Sequence, residues 1–325
     1  MLVDFDQAVD LLQKGEVVAL PTETVYGLAG RMDRQESLEK IFLTKQRPLF
    51  DPLIVHVHSQ EQARSLVSSW PLSAELLAKR FWPGPLTLVL PKKSHVSDLV
   101  TSGLAEVALR IPRHPLFLKV LHRLAVPLAA PSANHFGKTS PTCAAHVEEE
   151  FQGRVPVLDG GSSEIGIESC IVRVQENFLE ILRSGLLSRA EIQEAAGGIP
   201  VREVSTEKLS PGQFRHHYMP AKLLVYTDST PRTETELCRA IEGRLSQIPG
   251  TWEGVQLIRP ERIRSLSYLN LPEDPRLAAR VLYAELRRLS VGPSDAIVFQ
   301  RTSAQRGELW DTLLIRLKKA AVLQF

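Results

Sequence analysis

Apolar positions along the first 200 residues recur with two alternating periods, one typical of helices and one typical of strands. Residues 5–14 place apolar side chains on one helical face, Gly15 stands where a C-terminal cap belongs, and residues 17–20 form an apolar run. The same periods predict further strands at 53–57, 86–90, 107–111, 126–130, 155–158, 167–174 and 178–182, and helices at 37–43, 73–81, 114–124, 143–151 and 188–196. Because the last two strands are only a few residues apart, the pattern predicts an α/β fold with a mixed sheet and flanking helices.

Regular periodicity stops at residues 205–220, whose turn-forming residues indicate a linker. Beyond it, strands and helices alternate at 222–226, 233–248, 254–258, 275–289, 296–299 and 308–320. That order is typical of a small doubly wound, Rossmann-like domain. We therefore predict a first domain over 1–200, a linker over 201–221 and a second α/β domain over 222–325. A connector of this length is more often functional than idle.

Composition narrows the class of protein. The chain has 325 residues, enough for two domains, and 43% of them are hydrophobic, which excludes a disordered chain. Its three cysteines lack C-x-x-C spacing, so neither a disulfide framework nor a cysteine-rich zinc site is supported. No apolar leader or membrane-length apolar run is visible, so we expect a soluble, cytoplasmic protein without a membrane partner. The net charge of only +2 means that a nucleic-acid partner, if there is one, must be met by a local patch.

Two cations, Lys45 and Arg47, stand where the helix that begins near residue 37 should end, because Pro48 biases Arg47 away from helical geometry. In extended chain, residues two apart project to the same side, which suits a bound polyphosphate or carboxylate. The alternative is that both side chains are solvated and complement the helix dipole. Arg110 and Arg183 stand at the ends of two predicted strands, and the four cations together indicate an anion-binding pocket in the first domain.

The segment Pro131–Asn134 directly follows an apolar strand, a place where α/β folds bind ligands. Ser132 and Asn134 offer short hydrogen-bonding side chains there, although a turn stabilised by local hydrogen bonds is the alternative interpretation. Residues 137–139 are Gly-Lys-Thr, as at the end of a phosphate-binding P-loop. The first glycine of that motif would fall on Ser132, so the match fails.

Four histidines, two on a predicted strand and two in the linker, raise the question of a metal site. They are His56, His58, His216 and His217. Because no acid cluster stands at ligand spacing near them, we predict no metal site built by the protein. A hydrogen-bonding role is the preferred interpretation of His56.

Eight ordered motifs between residue 1 and about 220 resemble the threonylcarbamoyl-AMP synthases, the YrdC-like proteins. They are PTETVYGLA at 21–29, K-x-R at 45–47, PLIVH at 52–56, WPGPLT at 82–87, ALRIP at 108–112, APSAN at 130–134, GIES at 166–169 and SPG with RHHY within 210–218. The module that follows resembles the additional C-terminal domain of the family's long form. The resemblance implies a twisted mixed sheet in the first domain and a linker that folds over the active site.

The resemblance also implies a nucleotidyltransferase, which makes L-threonylcarbamoyladenylate and pyrophosphate from L-threonine, bicarbonate or carbon dioxide, and ATP. The product feeds the threonylcarbamoyl-adenosine modification of tRNAs that read ANN codons, through a downstream tRNA-modifying transferase complex. Mg²⁺ is expected to come with ATP and to be bound largely through the phosphates. Displacement at phosphorus mainly requires positioning and charge neutralisation, which suits a site rich in Lys and Arg.

The same resemblance implies roles for individual residues. The catalytic set is Lys45, Arg47, Ser132 and Asn134. The ATP contacts are Arg47, Asp51, Glu106, Ser132, Ser140, Arg183 and Tyr218. The threonine contacts are Thr24, His56, Arg110, Ala130 and Ser169. Asp51 stands where the family usually has asparagine and Glu106 where it often has threonine, so each brings a negative charge that phosphate would repel.

Two other classes of function stay open at this point, a non-catalytic RNA-binding module and a P-loop ATPase. Against the RNA-binding module stand the near-neutral charge and an aromatic content of 6%. Binding of threonine and ATP favours the enzyme, whereas binding of tRNA without either ligand favours the RNA module. Loss of nucleotide binding on substitution of Lys138 would favour the P-loop.

Overall fold

The computed structural model describes residues 1–203, 217–228, 233–248, 251–252, 255–256 and 260–325. These residues form two compact units. The first unit contains residues 1–135 and the described residues from 140 to 203, and the second contains 136–139 and the described residues from 217 onward. The short segment 136–139 therefore interrupts the first unit in sequence, which the hydrophobic pattern does not indicate.

Among the described residues, the first unit has a sheet of eleven strands. They are β1 (Leu2–Val3), β2 (Val18–Leu20), β3 (Gly27–Arg31), β4 (Ile54–His56), β5 (Leu86–Pro91), β6 (Glu106–Arg110), β7 (Leu128–Ala129), β8 (Val157–Leu158), β9 (Cys170–Val174), β10 (Leu179–Arg183) and β11 (Val201–Glu203). Across the sheet their order is β1-β8-β2-β3-β7-β4-β6-β5-β9-β10-β11. Strands β4 and β6 are parallel and β5 and β6 antiparallel, so the prediction of a mixed sheet is confirmed.

Helices cover both faces of this sheet. They are α1 (Phe5–Gln13), α2 (Gln35–Lys45), α3 (Gln60–Leu66), α4 (Leu72–Phe81), α5 (Asp98–Thr101), α6 (Pro115–Leu124), α7 (Ala144–Phe151) and α8 (Arg189–Ala195). Helices α1 and α6 bury Leu12 and Phe117 against Leu128, whereas α2 and α4 contribute to a larger core around Val55 and Leu109.

Local chemistry explains where two of these helices begin and end. Asp4 caps α1, because its carboxylate accepts a hydrogen bond from the Gln7 amide at 2.8 Å while the Gln7 side chain accepts one from the Asp4 amide at 3.0 Å. Helix α2 ends at Lys45, and Gln46 takes a left-handed conformation with φ of 51°. Lys45 is thus the last helical residue rather than part of an extended segment, and only Arg47 lies beyond the helix.

The hydrophobic pattern does not predict β3, whose sequence contains two glycines. A Cβ at Gly30 would lie 3.1 Å from both the carbonyl oxygen of Ser37 and the side chain of Ile41. Glycine therefore lets α2 pack closely on β3. Because glycine has no side chain, the apolar pattern that would have predicted this strand is missing. Strand β11 pairs in parallel with β10 and occupies residues 201–203, the beginning of the predicted linker. Residues 204–216 of that linker lie outside the described residues.

The second unit has a parallel four-stranded sheet in the order β15-β16-β12-β17. Its described elements are β12 (Leu223–Thr227), α9 (Glu234–Leu245), β13 (Thr251–Trp252), β14 (Val255–Gln256), β15 (Leu266–Tyr268), α10 (Pro275–Ser290), β16 (Ala296–Gln300), α11 (Glu308–Ala320) and β17 (Leu323–Gln324). This arrangement confirms a second, parallel α/β unit. None of the helices in the described parts of the chain is long and apolar enough to cross a membrane.

One strand of this second sheet is not where the apolar pattern predicts it. Within the predicted strand at 254–258, residues 255–256 pair with 251–252 in a separate two-stranded sheet, and 254, 257 and 258 are outside the described residues. The strand beside β16 is instead β15. Its residues are half-buried or exposed and include Ser267, so no apolar run marks this edge strand.

Candidate active site

One face of the first unit's sheet carries polar side chains from neighbouring strands. His56 at the end of β4 is in register with Arg110 at the end of β6, so both project to the same face. Thr87 of β5 pairs with Ile171 of β9, which in turn pairs with Arg183 of β10. The predicted threonine contacts His56 and Arg110 and the predicted ATP contact Arg183 therefore lie at the ends of their strands, along one edge of this sheet.

An apolar strip lies further along the same face, separate from the two large cores. It consists of Ile54, Val89, Ala108, Ile171 and Leu182. On its far side Glu106 forms an ion pair with Arg173 at 2.8 Å. Because Glu106 and Arg110 are four residues apart on one extended strand, they are separated by about 13 Å. Glu106 thus shares the face with Arg110 but is not in the Arg110 cluster, and its charge is compensated by Arg173.

Arg110 is buried and held by two hydrogen bonds. Its Nε donates to the carbonyl of Gly84 at 3.1 Å and its Nη2 to Oε1 of Glu23 at 2.8 Å. The second carboxylate oxygen of Glu23 accepts a hydrogen bond from the Arg113 amide at 2.9 Å. Burial acts to raise the pKa of Glu23, but the charge and hydrogen bond of Arg110 outweigh it, so this pKa lies below its ordinary value. Among the described residues Nη1 of Arg110 has no hydrogen-bond partner, which leaves this nitrogen for an anionic ligand.

Thr24 lies in the loop that joins β2 to β3 and is next to Glu23 in the chain. Its hydroxyl is 2.8 Å from that of Thr22, which donates to the carbonyl of Val25. The amides of Ile165 and Gly166 donate to the carbonyls of Glu23 and Thr24 at 2.8 and 3.1 Å. The loop is therefore fixed by hydrogen bonds within itself and by hydrogen bonds from residues 165 and 166.

His56 is almost fully buried and its ring stacks on Phe117, with ring centroids 5.1 Å apart. Burial, followed by the positive charge of Arg110, lowers the pKa of His56 well below its ordinary value. The ring is therefore neutral at neutral pH. Its Nδ1 is buried and has no hydrogen-bond partner among the described residues. A buried imidazole nitrogen without a partner is costly for the fold, and a polar ligand would satisfy it.

Lys45 is buried, so the interpretation of a solvated cation at a helix end is wrong for this residue. Its Nζ donates to the carbonyl oxygens of Ser132, at 2.5 Å, and of Asn134. Burial, and then the positive charge of Arg47, lower the pKa of Lys45 well below its ordinary value. Lys45 thus joins the C-terminal end of α2 to the loop after β7, and its two partners there, Ser132 and Asn134, are also predicted catalytic residues.

The loop itself is a locally stabilised turn, the alternative interpretation of this segment, and its role in binding a ligand stays a prediction. The Asn134 amide donates to the Ser132 carbonyl at 3.0 Å and its side-chain Nδ2 to the carbonyl of His135 at 2.8 Å, as in a locally stabilised turn. Ser132 forms an isolated bridge with Gly27 at the start of β3. The amide of Ala130 donates to the carbonyl of Ile54 at 2.9 Å, so the loop lies beside the apolar strip.

A second group of charges surrounds Asp51. Nη2 of Arg47 lies 2.8 Å from a carboxylate oxygen of Asp51, and both side chains are buried. Burial raises the pKa of Asp51, whereas the charges of Arg47, Lys45 and Arg183 oppose this rise. The charges of Lys45 and Arg183 therefore act on the same carboxylate that pairs with Arg47. Asp51 neutralises Arg47 rather than standing as an isolated acid.

Buried hydroxyl groups complete the cluster. The Ser169 hydroxyl is 2.8 Å from that of Thr87 and accepts a hydrogen bond from Nη2 of Arg183 at 3.1 Å. The Ser140 hydroxyl donates to Oε1 of Glu168 at 2.7 Å. Ser169, a predicted threonine contact, is therefore hydrogen-bonded directly to Arg183, a predicted ATP contact.

Tyr218, the remaining predicted ATP contact, belongs to the second unit. Its ring stacks on Tyr283 at 5.7 Å, and its carbonyl accepts a hydrogen bond from the Thr139 hydroxyl at 3.0 Å. The backbone of residues 137–139 pairs with that of Met219. Because no helix begins at Lys138 and α7 starts only at Ala144, the Gly-Lys-Thr sequence does not form a P-loop.

The three described histidines of this group, His56, His58 and His217, have different ring partners. His58 lies beside His122 in the first unit, His217 packs against Phe136 in the second, and His216 is outside the described residues. Within the described parts of the chain, no group of three or more His, Cys, Asp or Glu could hold a metal ion. Asp51 stands among three cations, so these residues do not fit a protein-built Mg²⁺ site. Mg²⁺ already bound to triphosphate would need no such cage.

Three residues of this cluster have no role implied by the sequence: Glu23, Thr87 and Glu168. Each stands inside a recognised motif, and Glu23 and Glu168 come one position before a predicted threonine contact. Their partners are 28 to 87 positions away in the chain. Spacing along the sequence could not have revealed such pairs, although buried polar residues within motifs were a signal of their importance.

Comparisons with known proteins show which family the chain belongs to. A family model described as "Telomere recombination", for the Sua5, YciO and YrdC proteins, matches residues 10–185, and one described as "Threonylcarbamoyl-AMP synthase, C-terminal domain" matches 187–322. The threonylcarbamoyl-AMP synthase of Pyrococcus abyssi is 36% identical over 97% of this chain and 93% of its own length. The chain belongs to the threonylcarbamoyl-AMP synthase family. The threonylcarbamoyl-AMP synthase of Bacillus subtilis is 41% identical over 69% of this chain and 67% of its own length.

A solved structure supports the family assignment over the full chain. The crystal structure of P. abyssi Sua5 complexed with L-threonine has a TM-score of 0.81 and 33% sequence identity, and the match covers 100% of this chain and 99% of that one. The resemblance in the eight motifs and the two-part α/β fold are therefore confirmed. Like the curated relatives, the chain is an enzyme of the nucleotidyl-transferring class.

Proposed function

We propose that the chain forms L-threonylcarbamoyladenylate and pyrophosphate from L-threonine, bicarbonate or carbon dioxide, and ATP. One observation carries the proposal. In a single unit, His56 and Arg110 are buried neighbours on one sheet face, and three further cations are held by named partners of the same unit. Arg47 pairs with Asp51 at 2.8 Å, Lys45 donates to the Ser132 carbonyl and Arg183 donates to the Ser169 hydroxyl. A triphosphate and a small amino acid need these two kinds of site side by side, and the family relationship supports the same reaction.

Threonine would bind at the end of β4 and β6. Nη1 of Arg110 is the donor for its carboxylate, in the manner typical of arginine and carboxylate pairs. The neutral ring of His56 offers its unsatisfied Nδ1, and Thr24 its buried hydroxyl. Ala130 would contribute its backbone or the shape of the wall of the threonine pocket. Ser169 would contribute a further hydroxyl group.

ATP would bind along the same face. An apolar strip between two polar groups suits a flat purine base, and Arg47 and Arg183 would meet the phosphates. Ser132, Ser140 and Tyr218 are the proposed further contacts. Asp51 acts by holding Arg47, and Glu106 lies within reach only at the far end of the strip. Mg²⁺ would enter with the phosphates of ATP as part of the substrate.

The reaction would proceed in two steps. The uncharged threonine amine attacks the carbon of CO₂, or of bicarbonate with loss of hydroxide, and the nitrogen releases a proton to give a carbamate. A carbamate oxygen then attacks the α-phosphorus, and the bond from that phosphorus to the bridging oxygen breaks as pyrophosphate leaves. The cations stabilise charge on the phosphates, while Lys45 holds the Ser132 and Asn134 loop in place.

The product would be passed to a downstream tRNA-modifying transferase complex that acts on tRNAs reading ANN codons. Its mixed anhydride hydrolyses in water, so a direct or protected transfer is expected. A weak contact with tRNA and a cytoplasmic location complete the proposal.

The decisive experiment is to incubate the protein with ATP, bicarbonate and L-threonine and to seek the mixed carbamic-phosphoric anhydride by mass spectrometry. Serine serves as the control amino acid and should give much less product. Release of pyrophosphate that does not depend on threonine, or binding of tRNA with no affinity for threonine or ATP, would contradict the proposal.

A further inference from the structure

We infer that Glu23 is a positioning residue for substrate recognition: it fixes the guanidinium of Arg110 so that the remaining nitrogen of Arg110 meets the threonine carboxylate. The inference rests on the proposed function, in which Arg110 binds that carboxylate. It adds a residue to which neither the motifs nor the comparisons give a role.

The contacts of Arg110 fix the plane of its guanidinium. Nε and Nη2 point from one edge of the planar group and donate to two different acceptors, the Gly84 carbonyl and the Glu23 carboxylate. Two directed hydrogen bonds on one edge determine where the third nitrogen points. Glu23 supplies the one charged acceptor of the two, and charge-assisted hydrogen bonds are the stronger kind.

Glu23 is itself held in place from several directions. Its second carboxylate oxygen accepts a hydrogen bond from the Arg113 amide, just after β6. Its backbone carbonyl accepts one from Ile165 at 2.8 Å. The side chain and backbone of one residue thus connect the Thr24 loop with the end of β6 and with the 163–166 loop, and an acceptor held this firmly can orient its partner.

Positioning and simple charge compensation predict opposite results when Glu23 loses its charge. If Glu23 only neutralised Arg110, its removal would leave an uncompensated cation that should bind the threonine carboxylate more tightly. If Glu23 positions Arg110, its removal frees the guanidinium from its set plane and threonine binds more weakly. The sign of the change therefore separates the two explanations.

The test compares Glu23→Gln with Glu164→Gln as a matched control. Glu164 also pairs with an arginine, Arg113, at 2.6 Å, but the two side chains are 70% and 52% exposed. We expect Glu23→Gln to raise the Kd and KM for threonine by tenfold to a hundredfold, on the order of one lost buried charged hydrogen bond. The KM for ATP should change by less than about twofold, and Glu164→Gln should leave both constants unchanged.

A ligand without a carboxylate makes the test specific. L-threoninol, in which a CH₂OH group replaces the carboxylate, should inhibit wild type and Glu23→Gln with similar constants. If threoninol inhibition weakens as much as threonine binding does, Glu23 supports the whole pocket rather than the orientation of Arg110, and the inference is wrong. Unchanged or tighter threonine binding in Glu23→Gln would also overturn it.

Two controls keep a folding defect apart from the result. A misfolded fraction lowers the amount of active enzyme and the apparent kcat but leaves KM for threonine unchanged. Glu23→Asp keeps the charge on a shorter side chain and should give a KM between those of wild type and Glu23→Gln. If wild type makes no anhydride, the proposed function fails, whereas a working wild type with normal KM in Glu23→Gln refutes only the role of Glu23.

Discussion

Each unit has a parallel strand pair near the middle of its sheet, and the two pairs differ in what they bury. In the second unit β12 and β16 align Leu224 with Ile297 and Val225 with Val298, and these side chains are buried. In the first unit β4 and β6 end with His56 aligned to Arg110, also buried. Apolar pairs stabilise a sheet, whereas buried polar groups cost stability unless they are satisfied.

The difference indicates which unit carries the chemistry. A cationic guanidinium, an imidazole nitrogen without a partner and a buried lysine would not persist as packing alone, because apolar side chains of similar volume would be as stable or more so. Such groups are typical of sites whose purpose is to bind a ligand. The predictions that follow alter one side of this comparison at a time, starting with the largest expected effect.

Removal of one partner of the buried ion pair should destabilise the protein strongly. Arg110→Met leaves the Glu23 carboxylate buried without its cation, so we expect the free energy of unfolding to fall by about 3–5 kcal/mol. The double variant Glu23→Leu with Arg110→Met should regain most of that loss while binding no threonine. Urea unfolding and titration calorimetry measure both quantities, and a double variant as unstable as Arg110→Met would contradict the argument.

Loss of the predicted catalytic cations should impair turnover next most strongly. Lys45→Ala and Arg47→Ala should each lower pyrophosphate release from ATP, threonine and bicarbonate by roughly 10²-fold or more, the scale of a lost preorganised charge contact. Lys40→Ala is the matched control, because Lys40 lies on the same helix and forms a half-exposed ion pair with Glu16. Normal turnover in both site variants would refute the assignment.

The neutral imidazole should make stability depend on pH. The pKa of His56 is lowered in the folded state, mainly by burial, so below about pH 6.5 the unfolded chain takes up a proton that the folded ring does not. Stability therefore falls as the pH falls from 6.5, by at most about 1.4 kcal/mol per pH unit for one proton.

Urea unfolding between pH 5 and 7 can show how much of the pH dependence of stability comes from His56. His56→Gln should remove that part of the pH dependence, whereas His58→Gln should remove less, because the His58 ring is only half-buried and its pKa is lowered less strongly. Equal slopes for wild type and His56→Gln would show that the ring is charged in the folded state.

The smallest expected effect lies in the second unit and should be a gain. Gly243 stands inside α9, and a Cβ at this position would meet no atom within 4 Å. Gly243→Ala should therefore raise the free energy of unfolding by about 0.5–1 kcal/mol, because alanine loses less backbone entropy in a helix. Threonine KM should stay at the wild-type value, and a loss of stability would show that this helix position is not open.

The periodicity of apolar residues was enough to predict the α/β fold and most elements, because the buried face of a strand or helix appears as a regular apolar pattern in its own sequence. It failed where packing requires small or polar residues, as in β3 with Gly30 and in the edge strand β15. The candidate site came from the motif resemblance. Its pairings, such as Glu23 with Arg110, join residues 87 positions apart, and no local pattern records such a contact.

Residues 136–139 have a practical consequence for anyone who wishes to produce the two units separately. They belong with the second unit, yet the chain returns to the first at Ser140. A single cut between residues 204 and 216 would leave this four-residue piece on the N-terminal fragment. There the Gly137 carbonyl and the Thr139 amide would lose the backbone partner that Met219 gives them. Neither fragment would then be a whole domain, so expression in halves calls for co-production or a rearranged gene.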